Sequence, residues 1–277
     1  MLKVKRGIVF YRTAFLIVNV LLCIFIFKLY SWKITNNIWI TNTNITKDSS
    51  FLYSAVIVEF RPIPLLITVI LNVIQNIPEH WPIQLFYSQS NKEFIQKSGL
   101  VKYIQNRKII LTELVEYHGN FRTYTNSLLT NISFWEQVRG ETVLFFQVDS
   151  IMCSNSPHKI TDYLQYDYIG APWASRQPSV GNGGFSLRSK KKIITLLKQT
   201  YNTTSKYNDD VNEDVWYSIH MSTVGSIPPL NVAKTFSVES IFYENPLAVH
   251  KMEISGVKLK KLCDMCPEAR LVPPHCR

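Results

Sequence analysis

The chain has 277 residues, 46% hydrophobic and 18% charged, with six Trp, fourteen Tyr and fifteen Phe. It can therefore bury one sizeable core and is not a disordered polymer. A net charge of +10 raises nucleic acid as a partner. The basic residues are dispersed, however, over the N-terminus (Lys3, Lys5, Arg6, Arg12), Lys190-Lys191-Lys192 and Lys258, Lys260 and Lys261. No nucleic-acid motif accompanies them, so that class is set aside.

Ala14 to Phe27 is apolar apart from Asn19. At about 1.5 Å per residue it is too short for a hydrocarbon core of about 30 Å. Extension into its flanks gives enough length, with Arg12 and Lys28 snorkelling and Tyr11, Tyr30 and Trp32 at headgroup level. No small-residue cleavage site follows, so residues 13–30 are expected to form an uncleaved signal anchor rather than a signal peptide. The preceding basic residues keep 1–12 cytoplasmic and place the rest in the lumen, a type II topology expected in the Golgi or endoplasmic reticulum. Asn44, Asn131 and Asn202 head N-x-Ser/Thr sequons on that side and are candidate glycosylation sites. Residues 31–50, rich in Asn, Thr and Lys without periodicity, read as a stem.

The domain is expected over 51–252. Ala55–Phe60 is a β-branched run stopped by Arg61-Pro62, a first buried strand. Pro64 to Asn76 has helical spacing with proline suited to a first turn. Strands follow at 81–87 and 108–111, a short helix at 91–98, a helix at 124–138, and a strand over 142–148 delivering Asp149. Such alternation predicts a single α/β domain with a mostly parallel sheet flanked by helices, whose ligands bind beyond the carboxyl ends of the strands. Beyond Asp149 come turns and short strands, then helices at 190–201 and 213–221.

Cys23 lies in the anchor. Cys153, Cys263, Cys266 and Cys276 form an even set that predicts two disulfides of open connectivity, stapling a tail over 253–277. A half zinc site at Cys263-x-x-Cys266 lacks obvious further ligands beyond His275 and Cys276.

Four constellations carry chemistry. Asp149 ends an apolar strand, where a carboxylate can ligate a metal or hold a ribose, or merely cap a turn. Gly181-Asn182-Gly183-Gly184, followed by an apolar strand and Arg188, can bring backbone close to a ligand or form a hairpin turn. Arg188 suits either a phosphate or a carboxylate. Glu213-Asp214 opens a helix, where acids cap the dipole, or where one can act as a general base. His250 could ligate a metal beside a carboxylate.

With Val58-Glu59-Phe60-Arg61-Pro62, Tyr166-Asp167-Tyr168-Ile169-Gly170-Ala171-Pro172-Trp173 and Val249-His250-Lys251, these blocks give the sequence a resemblance to the DUF5672 family over about 51–252. That family in turn resembles glycosyltransferases of the GT-A fold. The resemblance implies transfer of a sugar from a nucleotide-sugar donor to a hydroxyl on a glycan, protein or lipid acceptor. It implies Asp214 or Glu213 as base, and Glu59, Arg61, Gln147, Asp149, Asn182, Gly183, Gly184 and Arg188 around the nucleotide sugar. Asp149 with His250 would bind Mn²⁺ or Mg²⁺. Gln147 stands where GT-A enzymes keep the first acid of Asp-x-Asp, which weakens the metal expectation and keeps a non-catalytic carbohydrate- or nucleotide-binding protein as the alternative.

Overall fold

The computed structural model describes residues 22–26, 28, 51–115, 121–175, 180–208, 210–273 and 276. The chain divides into two compact units, residues 1–45 and 46–277. In the first, 22–26 and 28 are helical. Among the described residues no helix is long and apolar enough to cross a membrane. The remainder of the expected anchor, the stem and Asn44 lie outside the described residues.

The second unit opens with β1 (Phe51–Val58), whose Ala55, Val56 and Ile57 are wholly buried because both faces of the sheet are covered. Helix α1 (Pro64–Asn76) starts at its proline and buries Leu66, Val69, Ile70 and Val73, the stripe expected of a 3.6-residue period. There follow β2 (Ile83–Tyr87), α2 (Gln89–Gln96), α3 (Val101–Gln105) and β3 (Ile109–Glu113). Ser88 and Asn91 form a reciprocal cap on α2.

The single helix expected at 124–138 is two: α4 (Phe121–Leu129) and α5 (Ile132–Gln137). Asn131 breaks it by capping α5, its Oδ1 accepting from the Ser133 N–H at 2.8 Å. Strand β4 (Gly140–Phe146) ends three residues before Asp149, and the Gln147 N–H, donating to the Gly184 carbonyl at 2.9 Å, carries the β4–β7 register one residue further towards it. Then come β5 (Ser150–Met152), β6 (Tyr168–Gly170), β7 (Phe185–Ser189), α6 (Lys190–Thr200), α7 (Glu213–His220) and α8 (Leu230–Phe236). Short strands β8 (Ser237–Val238) and β9 (Ala248–His250) precede α9 (Gly256–Met265).

The main sheet runs β3-β2-β1-β4-β7-β6. β1 to β4 are mutually parallel, and β7 pairs antiparallel with both β4 and β6, so the sheet is mixed. The core beside β4 gathers Phe134, Trp135, Phe145, Tyr168, Ile193, Trp216 and Tyr217 from five helices and strands distant in sequence. A second sheet, β5-β9-β8, lies antiparallel at β5–β9 and parallel at β8–β9. Asn72 of α1 fixes its edge: Nδ2 donates to the Met152 carbonyl at 2.9 Å and Oδ1 accepts from the Met152 N–H at 2.8 Å.

The C-terminal tail contains α9 and a 3₁₀ turn at Pro267–Leu271. The bridges are Cys153–Cys266 and Cys263–Cys276, so the two cysteines of the C-x-x-C pair go to different partners. The first joins segments 113 residues apart and constrains the unfolded chain accordingly. The Lys190–Lys192 run is not a basic patch. Lys190 Nζ donates to the Val138 carbonyl at 2.7 Å and Lys192 Nζ to that of Val224 at 2.6 Å.

Candidate active site

A cavity of about 400 Å³ opens beyond the carboxyl end of β4, where ligands of α/β sheets bind. Gln147, Asp149, Asn182, Gly183 and Gly184 line it, with Glu213, Asp214 and His250. Arg188, Glu59 and Arg61 are not among the lining residues.

The small sheet explains why Asp149 and His250 meet. Ser150 pairs with His250 across β5–β9, and the Lys251 N–H donates to the Asp149 carbonyl at 3.1 Å. His250 Nε2 then lies 3.4 Å from Asp149 Oδ1. Burial raises the Asp149 carboxyl, but the imidazole and Lys251 outweigh it and hold the group below its ordinary value.

The glycine segment bridges the two halves of the site. Gly181 has φ +126°, open to glycine and strained for other residues. A Cβ on Gly184 would sit 2.1 Å from His250 Nε2, so only glycine lets the loop pass over the imidazole. The Gly184 N–H donates to Asn182 Oδ1 at 2.9 Å. The Gly183 N–H donates to Asp214 Oδ2 at 3.0 Å, while its carbonyl accepts from Ser186 Oγ at 3.0 Å and from the Arg188 guanidinium at 3.1 Å.

Arg188 is 0% exposed. Its Nε donates to Ser186 Oγ at 2.8 Å and its Nη2 to Glu213 Oε1 at 3.0 Å. Four rings box the guanidinium carbon, at 4.9 Å (Phe145), 5.4 Å (Tyr168), 5.7 Å (Tyr217) and 6.0 Å (Trp135) from their centroids. The sequence allowed Arg188 a phosphate or a carboxylate; the structure gives it the carboxylate, away from the cavity. Burial first, then the Asp214 carboxylate, pushes Glu213 up to about 7, with Arg188 opposing. Glu213 is thereby tied to an internal ion pair. Asp214 is the acid of the pair that takes a hydrogen bond from the glycine segment.

Glu59 is 2% exposed and committed locally. Oε1 accepts from the N–H groups of Phe60 (3.0 Å) and Arg61 (2.9 Å) and from Arg61 Nε (2.8 Å), and Oε2 accepts from Arg61 Nη2 at 2.7 Å. The pair anchors the end of β1, and the exposed Arg61 guanidinium also feels the Asp149 carboxylate at the cavity.

Sequence reasoning missed Glu239 and Asn126. Glu239 lines the cavity and is buried, and burial pushes it up to about 7. Asn126 Oδ1 accepts from the Glu213 N–H at 3.2 Å and so caps α7 from another helix. Neither residue stands in a local pattern that marks it.

A divalent cation fits the residues present as a two-donor site. Both ring nitrogens of His250 are buried without a hydrogen-bond partner among the described residues, and Asp149 lies beside Nε2. Gln147 offers an amide in place of the second acid. Among the described residues no three His, Cys, Asp or Glu side chains are grouped to hold a metal by themselves. Cations of the Mg²⁺ type are commonly held by one or two protein groups with phosphates and water supplying the rest.

No curated protein sequence matches the chain. Among solved structures it is similar to the apo-form glycosyltransferase GlyE of Streptococcus pneumoniae TIGR4 (TM-score 0.48, 17% identity, 75% of this chain and 55% of that one). It is also similar to S. aureus TarS 1-349 (0.43, 12%, 77% and 70%). A third is the mannosyltransferase PcManGT from Pyrobaculum calidifontis in complex with GDP-Man and Mn²⁺ (0.43, 12%, 74% and 62%). The chain spans little more than half of GlyE. Likenesses this distant leave the chemical reading to the cavity itself. Residues 113–250 match the family described as "Protein of unknown function (DUF5672)". The matched residues include Gln147, Asp149, Asn182 to Gly184, Glu213, Asp214, Glu239 and His250.

Proposed function

We propose that the chain is a glycosyltransferase that moves a sugar from a nucleotide-sugar donor to a hydroxyl of a glycan, protein or lipid acceptor. One observation carries the reading: Asp214 and the Asp149–His250 pair occupy the same cavity, joined by the backbone of Gly183 and Gly184. Asp214 accepts the acceptor hydroxyl proton as that oxygen bonds to the donor's anomeric carbon and the bond to the nucleoside diphosphate breaks. Asp149 and His250 are the residues to hold Mn²⁺ or Mg²⁺, which when bound supplies positive charge to the diphosphate. The exposed backbone of the glycine segment lets the donor approach closely.

The same proposal places the domain in the lumen of the Golgi or endoplasmic reticulum behind an anchor at 13–30. The two disulfides support an oxidising compartment. Asn131 and Asn202, both exposed, are then the sequons available for glycans in the described domain.

Gln147 favours a second reading, a protein that binds a nucleotide or carbohydrate without turnover. Melting of the full chain with a panel of nucleotide sugars, with and without Mn²⁺, tests binding, because a ligand of the native state raises the midpoint by mass action. The expected result is a Mn²⁺-dependent rise with donors of one base, lost in Asp149→Ala. No rise with any nucleotide would defeat the transferase reading and leave, of the second, only a carbohydrate-binding protein.

A further inference from the structure

Glu239 has no part in the chemistry above, yet it is 5% exposed at the cavity wall. Its position is set by backbone pairing. β8 and β9 run parallel with Val238 opposite Val249, so the next positions, Glu239 and His250, stand side by side. Because β9 is the central strand, His250 stands between Asp149 from the β5 side and Glu239 from the β8 side. The two ring nitrogens divide accordingly: Nε2 faces Asp149 Oδ1 at 3.4 Å, and Nδ1 faces Glu239 Oε1 at 3.8 Å.

Glu239 also reaches the glycine segment. Its Oε1 accepts from Asn182 Nδ2 at 2.9 Å, and Asn182 Oδ1 accepts from the Gly184 N–H, which brings Gly184 against the His250 ring. Glu239, Asn182 and Gly184 thus form a hydrogen-bonded chain that ends against the His250 ring, whose Nδ1 faces Glu239 beyond hydrogen-bond distance. Oε2 of Glu239 is buried without a hydrogen-bond partner among the described residues, a costly placement for a carboxyl group. Histidines that bind metals through one nitrogen commonly give the other N–H to a carboxylate, which fixes the ring and the nitrogen left for the metal.

We propose that Glu239 is the positioning residue of His250: it orients the imidazole so that Nε2 is presented beside Asp149 to a divalent cation, and through Asn182 it holds the glycine loop against the same ring. The proposal rests on the two-donor cation site assigned above. Asp149 and His250 are the ligands. Glu239 stands on the opposite edge of the imidazole and acts through it.

The test is Mn²⁺ binding by the full chain, followed by loss of the free-ion electron paramagnetic resonance signal, for wild type, Glu239→Gln, Glu239→Asp and His250→Ala, with a melting curve for each. Asn182 Nδ2 and His250 Nδ1 both face Oε1, so Gln either keeps its oxygen there without the negative charge beside Nδ1, or places an N–H there, which gives up the Asn182 bond and favours the wrong nitrogen for metal. The expected result is Mn²⁺ affinity lowered about 10- to 100-fold in Glu239→Gln at a near-unchanged melting point. Glu239→Asp should recover part of the loss, and His250→Ala should abolish binding. A purely structural Glu239 would lower the melting point and leave affinity per folded molecule unchanged, which overturns the proposal. Loss of Mn²⁺ in His250→Ala with wild-type affinity in Glu239→Gln overturns it too, and leaves the glycosyl-transfer reading in place. Absence of Mn²⁺ binding in wild type overturns it together with the cation site, and nucleotide-sugar binding without metal would still uphold glycosyl transfer.

Discussion

Asp214→Asn is expected to lower sugar transfer by about 10²- to 10⁴-fold, the usual contribution of a positioned general base, while the protein stays folded. Asn keeps an oxygen for the Gly183 N–H but no longer takes a proton. Glu213→Gln should behave in the opposite way. Its oxygen can still accept from Arg188, yet the buried guanidinium loses its counter-charge, so the melting point falls and transfer is affected through the fold. Steady-state rates and melting curves on the two variants separate the roles. Transfer retained in Asp214→Asn and lost in Glu213→Gln at an unchanged melting point would reverse the assignment.

Arg188→Ala is expected to destabilise the domain by about 3–5 kcal/mol, the cost of leaving one partner of a buried ion pair alone. Four aromatic rings would face the vacated space, and the Gly183 carbonyl would lose a donor. The shift in melting point should be roughly 6–20 °C for a domain of this size. Replacing both partners, as Arg188→Met with Glu213→Leu, should recover part of that loss, because an apolar pair carries no desolvation cost. A loss in Arg188→Ala below about 1 kcal/mol, the level of exposed pairs, would mean the pair is not buried as described.

What could be read from the sequence follows from how local the determinants are. α1 and α6 have a full apolar stripe and a start signal, Pro64 and the Ser189 cap, so spacing defines them. β1, β2 and β3 are buried on both faces and therefore appear as apolar runs. The break at Asn131 is hidden because the residue reads as a sequon, and its capping role shows only in three dimensions. β8 and β9 have two and three residues, too few for any period to emerge.

The same limit governs the site. Asp149, Asn182 to Gly184, Asp214 and His250 stand in compact motifs, and the fold brings them to one cavity. Arg188 follows a glycine loop as a phosphate ligand would, but its surroundings come from Trp135, Phe145, Tyr168 and Tyr217, and no window of sequence contains all four. Glu59 and Arg61 satisfy each other two residues apart, a pairing that a strand end ahead of a ligand site also resembles. Glu239 has no motif, and the parallel pairing of β8 with β9 alone brings it to His250.

The most direct test of glycosyl transfer is release of nucleoside diphosphate from nucleotide sugars by the full chain with Mn²⁺ and a pooled set of glycan, protein and lipid acceptors, with Asp214→Asn in parallel. The account predicts release with one class of donor, coupled to labelling of an acceptor and abolished in the variant. A chain that binds a nucleotide sugar, yet releases no diphosphate with any acceptor in either form, would contradict it and identify a binding protein.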